Sequence, residues 1–207
     1  AVSVSELERA QAMRAALLEN PDTAPLMSEA DHAELTFRTP VNEKLGFALQ
    51  CRADLFHLPK KGQPRRIVDI KTTRSLGAFR HQFATLGYYR SAAFYLWVVE
   101  TILGPAPTHF TYLAIEKDPP YECAAFTPDE EAIRFGLDEV DRKTMELAAC
   151  LREGRFPYQF PGMQTLSLPA WYMDKKLSED QEVSAAYVTQ HSGMWTDMGD
   201  DGDEAAG

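Results

Sequence analysis

The chain has 207 residues, 44% of them hydrophobic, with three cysteines and a formal net charge of −10. This length suits one domain with a real core, and the longest apolar run, Ala92 to Val99, is far too short to cross a bilayer. Cys51, Cys123 and Cys150 have no paired spacing and read as reduced, buried thiols of a cytosolic protein, which sets aside a zinc site and a disulfide framework.

No signal-peptide pattern opens the chain. Its first residues already look like helix and lack an initiator Met, so the sequence reads as a piece of something longer. Ser3 to Asn20 is the first expected helix. Ser3 or Ser5 caps it, Glu6 and Glu8 suit the helix dipole, and Asn20-Pro21 stops it.

Ala33 to Phe37 reads as a first strand and carries Glu34. A turn over Thr39 to Lys44 leads into a long second strand, Gly46 to Phe56, and Ile67 to Thr72 is the third. The spacer Pro59 to Pro64 is rich in turn formers, so the second and third strands read as a hairpin. With side chains alternating at period two, Asp69 and Lys71 share one face while Val68 and Ile70 take the other. The hairpin lets Asp54 face Asp69 across strands about 4.8 Å apart.

Two carboxylates that close repel each other unless a positive charge sits between them. A hard divalent cation such as Mg²⁺ prefers carboxylate oxygens and water. The Lys71 ammonium can hold or deprotonate a water, or stabilise developing phosphate charge. The same triplet also fits a solvated sheet face, and Glu34 fits either a third carboxylate of the site or a solvated edge residue.

Ser75 to Glu100 is a long helical stretch, broken near Gly87. Its second half is apolar around most of its circumference and must be buried. Tyr88, Ser91 and Tyr95 lie three and four apart on its less greasy face, which suits either a site or satisfied core positions. Thr108 to Glu116 and Glu122 to Phe126 form a further hairpin. Thr127-Pro128-Asp129-Glu130 starts an amphipathic helix that runs to about Glu153 and ends at Gly154.

Beyond Phe156 the pattern fades. Prolines and aromatics suggest an extended segment lying on the surface and pinned by Trp171, followed by a polar, acidic tail. The fold class is therefore α/β (α+β in stricter terms), a mixed central sheet of about five strands flanked by helices.

Net acidity argues against a nucleic-acid partner, but the charge is unevenly spread. Lys60, Lys61, Arg65, Arg66, Lys71, Arg74, Arg80 and Arg90, with His57 and His81, crowd around the central hairpin. This reads either as a local surface that tracks a phosphate backbone or as a solvated basic loop.

Several motifs occur in a telling order: Cys51-Arg52-Ala53-Asp54, then Ile67-Val68-Asp69-Ile70-Lys71-Thr72-Thr73, then Gly87 to Tyr95, then Ala114 to Pro120, then Leu168-Pro169-Ala170-Trp171. The set resembles the exodeoxyribonuclease VIII-like (phage-type) nuclease domains of the PD-(D/E)XK superfamily and, more remotely, lambda exonuclease. The resemblance implies a restriction-endonuclease-like core over residues 1–175, with 176–207 as a flexible acidic tail. It implies a 5′-to-3′ exodeoxyribonuclease that acts on linear double-stranded DNA in recombination by single-strand annealing. Mg²⁺ (or Mn²⁺) would be held by Asp54, Asp69 and the backbone carbonyl of Ile70, with Glu34 as a weaker candidate and Lys71 near the attacking water. Arg52, Thr72, Thr73, Arg74, Tyr89, Ser91 and Tyr95 would contact DNA. The implied partners are duplex DNA, further copies of the chain in a ring, and an annealing protein in the cytoplasm, with no membrane. The alternatives are a DNA-binding or assembly module of the same fold with weak or no catalysis, or another repair nuclease of the superfamily.

The sequence departs from that pattern in three places. Ala53 replaces the usual proline, and Ser91 stands where relatives carry a glutamine four residues before the tyrosine. The family's metal-binding histidine on an N-terminal helix has no counterpart, since His32 lies too close to the first strand.

Overall fold

The computed structural model describes residues 3–60, 62–104 and 106–191, with the backbone alone for 184–191. The chain divides into two units, which meet between Phe156 and Pro157. Lys61, counted above among the basic residues, and the acidic stretch Asp197 to Glu204 lie outside the described residues.

The first unit opens with α1 (Val4–Glu19), where Ser3 and Glu6 form a reciprocal capping box. A short α2 (Ala24–Ser28) follows. Strands β1 (His32–Arg38), β2 (Gln50–His57) and β3 (Arg65–Thr73) come next. A 3-10 turn at Leu76–Ala78 leads to α3 (Phe79–Thr85) and α4 (Tyr88–Leu103). Strands β4 (Thr108–Glu116) and β5 (Cys123–Phe126) and the long helix α5 (Glu130–Glu153) complete it. Gly87 joins α3 to α4 at φ 69°, the left-handed region that glycine enters without penalty.

The five strands lie in sequence order in one mixed sheet. β1–β2, β2–β3 and β4–β5 are antiparallel, and β3–β4 is parallel. A parallel pair needs a crossover, which α3 and α4 supply. One face of the sheet packs Phe56, Ile67, Phe110, Tyr112 and Ala114 against Ala92, Val98 and Val99 of α4 and Ala148 of α5. The other packs Leu55, Val68, Leu113 and Ile115 against Leu17 of α1. This is the α+β architecture the element order predicts.

Two expectations need correction. The second strand begins at Gln50, because Asn42 pairs with Phe47 in a tight turn whose Asn42 side chain accepts from the Lys44 and Leu45 amides. In the second unit the segment around Trp171 is helical: α6 runs Ala170–His191 and crosses the expected boundary at residue 176. Pro169 lies just before that helix, and Glu179 pairs with Lys175 and Lys176 one turn earlier. No described helix is long and apolar enough to cross a membrane.

Candidate metal and active site

The β2–β3 ladder spans only three residue pairs, His57–Arg66, Phe56–Ile67 and Leu55–Val68. One step further in the same register stand Asp54 and Asp69. There the strands stop pairing, and the side chain of Asp54 replaces a rung: its Oδ2 accepts the Ile70 N–H at 2.7 Å. In a strand, the N–H and C=O of one residue point to the same edge. The Ile70 carbonyl therefore points toward Asp54 as well.

β1 deforms at the matching point. Its pairing with β2 skips Glu34 and Asp54, and Glu34 has φ 54°, a conformation costly for a residue with a Cβ. The Glu34 carboxylate turns to Arg52 Nε at 2.9 Å on the exposed surface.

Asp69 is 6% exposed, and burial, the largest influence on its carboxyl, pushes its pKa up. The bond and charge of Lys71 pull it down, and the Asp54 charge raises it further. Its Oδ2 is the one buried side-chain oxygen or nitrogen without a hydrogen bond of ordinary geometry among the described residues. Among the described residues its ion-pair partner is the Lys71 ammonium, in close contact. A buried carboxylate oxygen held only by the Lys71 ammonium, a second carboxylate across the strand gap and a carbonyl aimed the same way form an all-oxygen donor set that fits a hard divalent cation. Among the described residues no group of three or more His, Cys, Asp or Glu side chains closes around one point. Glu34 thus stands apart from the pair, and so does His32, the first residue of β1.

The wall over the site is aromatic. Lys71 Nζ sits 5.4 Å from the centre of the Tyr88 ring, and the Tyr112 hydroxyl donates to the Tyr88 carbonyl at 2.7 Å. Burial raises the Tyr95 phenol to about 12, with the charges of Asp69 and Asp54 adding to the effect. Tyr95 therefore stays protonated, close enough to feel the charge of both carboxylates. Tyr112 is raised in the same way, by burial first and then by Asp69.

The other candidates scatter. Ser91, Thr72 and Arg74 are exposed near the ends of β3 and α4. Thr73 is 3% exposed, and its hydroxyl lies 3.0 Å from the Ser75 carbonyl and 3.1 Å from Gln82 Oε1, so it braces the chain leaving β3. Tyr89 turns away to α5 and donates to Glu139 Oε2 at 2.7 Å.

The basic surface also needs correction. Arg65 is buried and donates to the carbonyls of Leu103, Gly104 and Ala106 and to Thr108 Oγ1, which locks the α4–β4 connection. Arg66 faces the opposite side of the sheet from Asp69, and Arg90 pairs with Glu139. Sequence reading missed Tyr112 and Glu116 as supports; Glu116 Oε1 accepts the Leu76 N–H and holds the loop after β3. The one signal for them was a polar group set in an apolar strand.

A family model described as a PDDEXK-like domain of unknown function (DUF3799) matches residues 3–165. A solved structure from Eubacterium rectale, named a "putative exonuclease", is similar over 82% of this chain with a TM-score of 0.59 and 14% sequence identity. That likeness shows the fold, and the chain spans 65% of that structure's length. A second solved structure, SSO0001, covers 67% of this chain and 60% of its own at 17% identity, and its TM-score of 0.38 carries no argument. No curated protein matches.

Proposed function

The chain belongs to the PDDEXK-like domain family, and from that premise we propose that it is a metal-dependent deoxyribonuclease acting on the ends of linear double-stranded DNA. The family and its restriction-endonuclease-like fold support a nuclease. The observation that carries the reading is the paired break in the sheet at Asp54 and Asp69, with Lys71 on the buried Asp69 oxygen.

A divalent cation, Mg²⁺ or Mn²⁺, held by Asp54, Asp69 and the Ile70 carbonyl, would supply the Lewis acidity that phosphodiester hydrolysis requires. Glu34 is a further ligand only if it leaves Arg52. Around that position this chain's own groups divide the work. Lys71 Nζ holds the attacking water, or takes up charge on the phosphate, once it leaves Asp69. The Tyr95 phenol donates a hydrogen bond at the mouth of the site. Arg52, Thr72 and Arg74 offer exposed donors to backbone phosphates, and Ser91 is an exposed hydroxyl on the same helix face as Tyr95. Thr73 and Tyr89 hold the elements that carry these groups.

The resemblance of the motifs extends the proposal to 5′-to-3′ polarity, a ring of copies, an annealing partner and a cytoplasmic setting in phage-type recombination. A second reading, a DNA-binding or assembly module with weak catalysis, is favoured by one contact: Lys71 closes on the oxygen that a cation would need. End-labelled linear duplex DNA with Mg²⁺ separates the two. The nuclease reading expects release of terminal nucleotides, lost in Asp69→Asn. Tight DNA binding with no metal-dependent cleavage selects the second reading, and full activity in Asp69→Asn overturns the first.

A further inference from the structure

On the face of the sheet away from Asp69, three basic side chains lie in one row across three strands. His57 pairs with Arg66 in the β2–β3 ladder, and Arg66 pairs with His109 in the parallel β3–β4 ladder. Paired residues on neighbouring strands point to the same face, with Cβ atoms about 5 Å apart. At this spacing a protonated ring and the guanidinium would repel each other unless something negative joined them. The row lines a cavity of about 380 Å³ to which Lys60, Leu26 and Glu29 also contribute.

The contacts already made leave donors available. Arg66 uses one Nη on Thr111 Oγ1 at 2.7 Å. His57 Nε2 lies 3.0 Å from the Leu26 carbonyl, which can only accept, so that nitrogen carries the hydrogen and Nδ1 stays bare in the neutral ring. Lys60 reaches the Glu29 carbonyl only weakly, at 3.5 Å.

We propose that this cavity is a second binding site, for a phosphate group carried by a nucleotide-sized molecule. The volume lies in the range of small-ligand sites, roughly 300–1,000 Å³. The guanidinium of Arg66 supplies a fork for phosphate oxygens. Leu26 gives an apolar wall for the rest of the ligand. The site is independent of the nuclease reading, because it uses the other face of the sheet.

The charges make binding proton-coupled. Arg66⁺ and Lys60⁺ face Glu29⁻ in the cavity and Asp31⁻ beside His57, so the fixed charges roughly cancel. Burial holds the His57 pKa down; the Leu26 bond and the Asp31 charge oppose this, and Arg66 and Lys60 reinforce it. A phosphate bound beside His57 favours the protonated form of that ring.

The test is a titration of the whole chain with chelator present, followed by the imidazole NMR signals of His57 and His109, with His81 on α3 as reference. The probes are inorganic phosphate, a nucleoside 5′-monophosphate, the bare nucleoside, and a short duplex with and without a 5′-phosphate. Phosphate and the monophosphate are expected to shift both rings saturably, while the nucleoside does not. Arg66→Gln and His109→Gln are each expected to weaken binding at least tenfold; His109 is exposed, so its variant keeps the fold. Saturation by the monophosphate identifies a free nucleotide as the source, whereas saturation by the 5′-phosphorylated duplex alone overturns that ligand in favour of a DNA end. If no phosphate-bearing probe moves either ring beyond sodium chloride at equal ionic strength, or if His109→Gln binds as tightly as the parent, the proposal fails.

Discussion

The carboxylate of Asp54 accepts the backbone N–H of Ile70 at 2.7 Å, so a side chain stands where a β2 carbonyl would continue the ladder. This single contact ties the acidity of the site to the integrity of the sheet. It also separates two substitutions that a sequence comparison would treat alike.

Asp54→Asn keeps a carbonyl oxygen for the Ile70 N–H, whereas Asp54→Ala leaves that amide without its acceptor. Urea denaturation should show Asp54→Asn close to the parent and Asp54→Ala weaker by about 1–3 kcal/mol. Both should lose metal-dependent cleavage. A fully active Asp54→Asn protein would remove Asp54 from the chemistry and leave it a structural role alone.

For Asp69 the pH dependence has a definite sign. Its folded pKa is raised above the ordinary value of 3.8, so the folded state holds the proton more tightly than the unfolded chain. The stability it contributes without metal is present below that ordinary range and is lost as pH rises through the raised folded pKa. Thermal melts in chelator should show this loss in the parent and not in Asp69→Asn. Added Mg²⁺ at neutral pH should raise the parent's melting temperature and leave that of Asp69→Asn unchanged.

Arg65 and Arg74 test the corrected charge map. Arg65→Met removes the buried donors of three carbonyls and should cost on the order of 3 kcal/mol. Arg74→Gln, at an exposed position, should leave stability within about 0.5 kcal/mol. If Arg74 meets a phosphate, that variant should also reduce the salt dependence of DNA binding by about one ion. Comparable loss of stability in both variants would contradict the assignment.

Gly136 tests the seat of α4 on α5. A Cβ placed there would lie 2.6 Å from the Tyr89 carbonyl oxygen and 2.8 Å from the Ala93 Cβ. Gly136→Ala should therefore destabilise by about 1–3 kcal/mol through overpacking, despite the better helix propensity of alanine. A stabilised variant would show that the helices can move apart freely.

Much of this architecture is legible in the sequence because local chemistry and tertiary demand agree. Ser3 with Glu6 marks the start of α1, Gly87 marks the break before α4, and Gly154 marks the end of α5. The opposition of Asp54 and Asp69 follows from strand period and hairpin register alone. Long-range partners do not. A lone arginine at position 65 looks the same whether it faces solvent or three carbonyls from a loop about forty residues away. Tyr89 and Tyr95 are both tyrosines of one helix, and the packing of α5 decides which one turns from the carboxylates. The left-handed bend at Glu34 has no local signature, since glutamate rarely adopts it.

The three-pair ladder between β2 and β3 also bears on what insertions and deletions the chain can accept. Extra residues in the connection around Gly62 can loop out without disturbing the pairs that bring Asp54 opposite Asp69. One residue gained or lost between Leu55 and His57 or between Arg66 and Val68 has no such outlet. It shifts the register by one and sends a carboxylate to the wrong side of the sheet. Length variation in this region should therefore be confined to the hairpin tip, and the spacing from each aspartate to its ladder should be as constrained as the aspartates themselves.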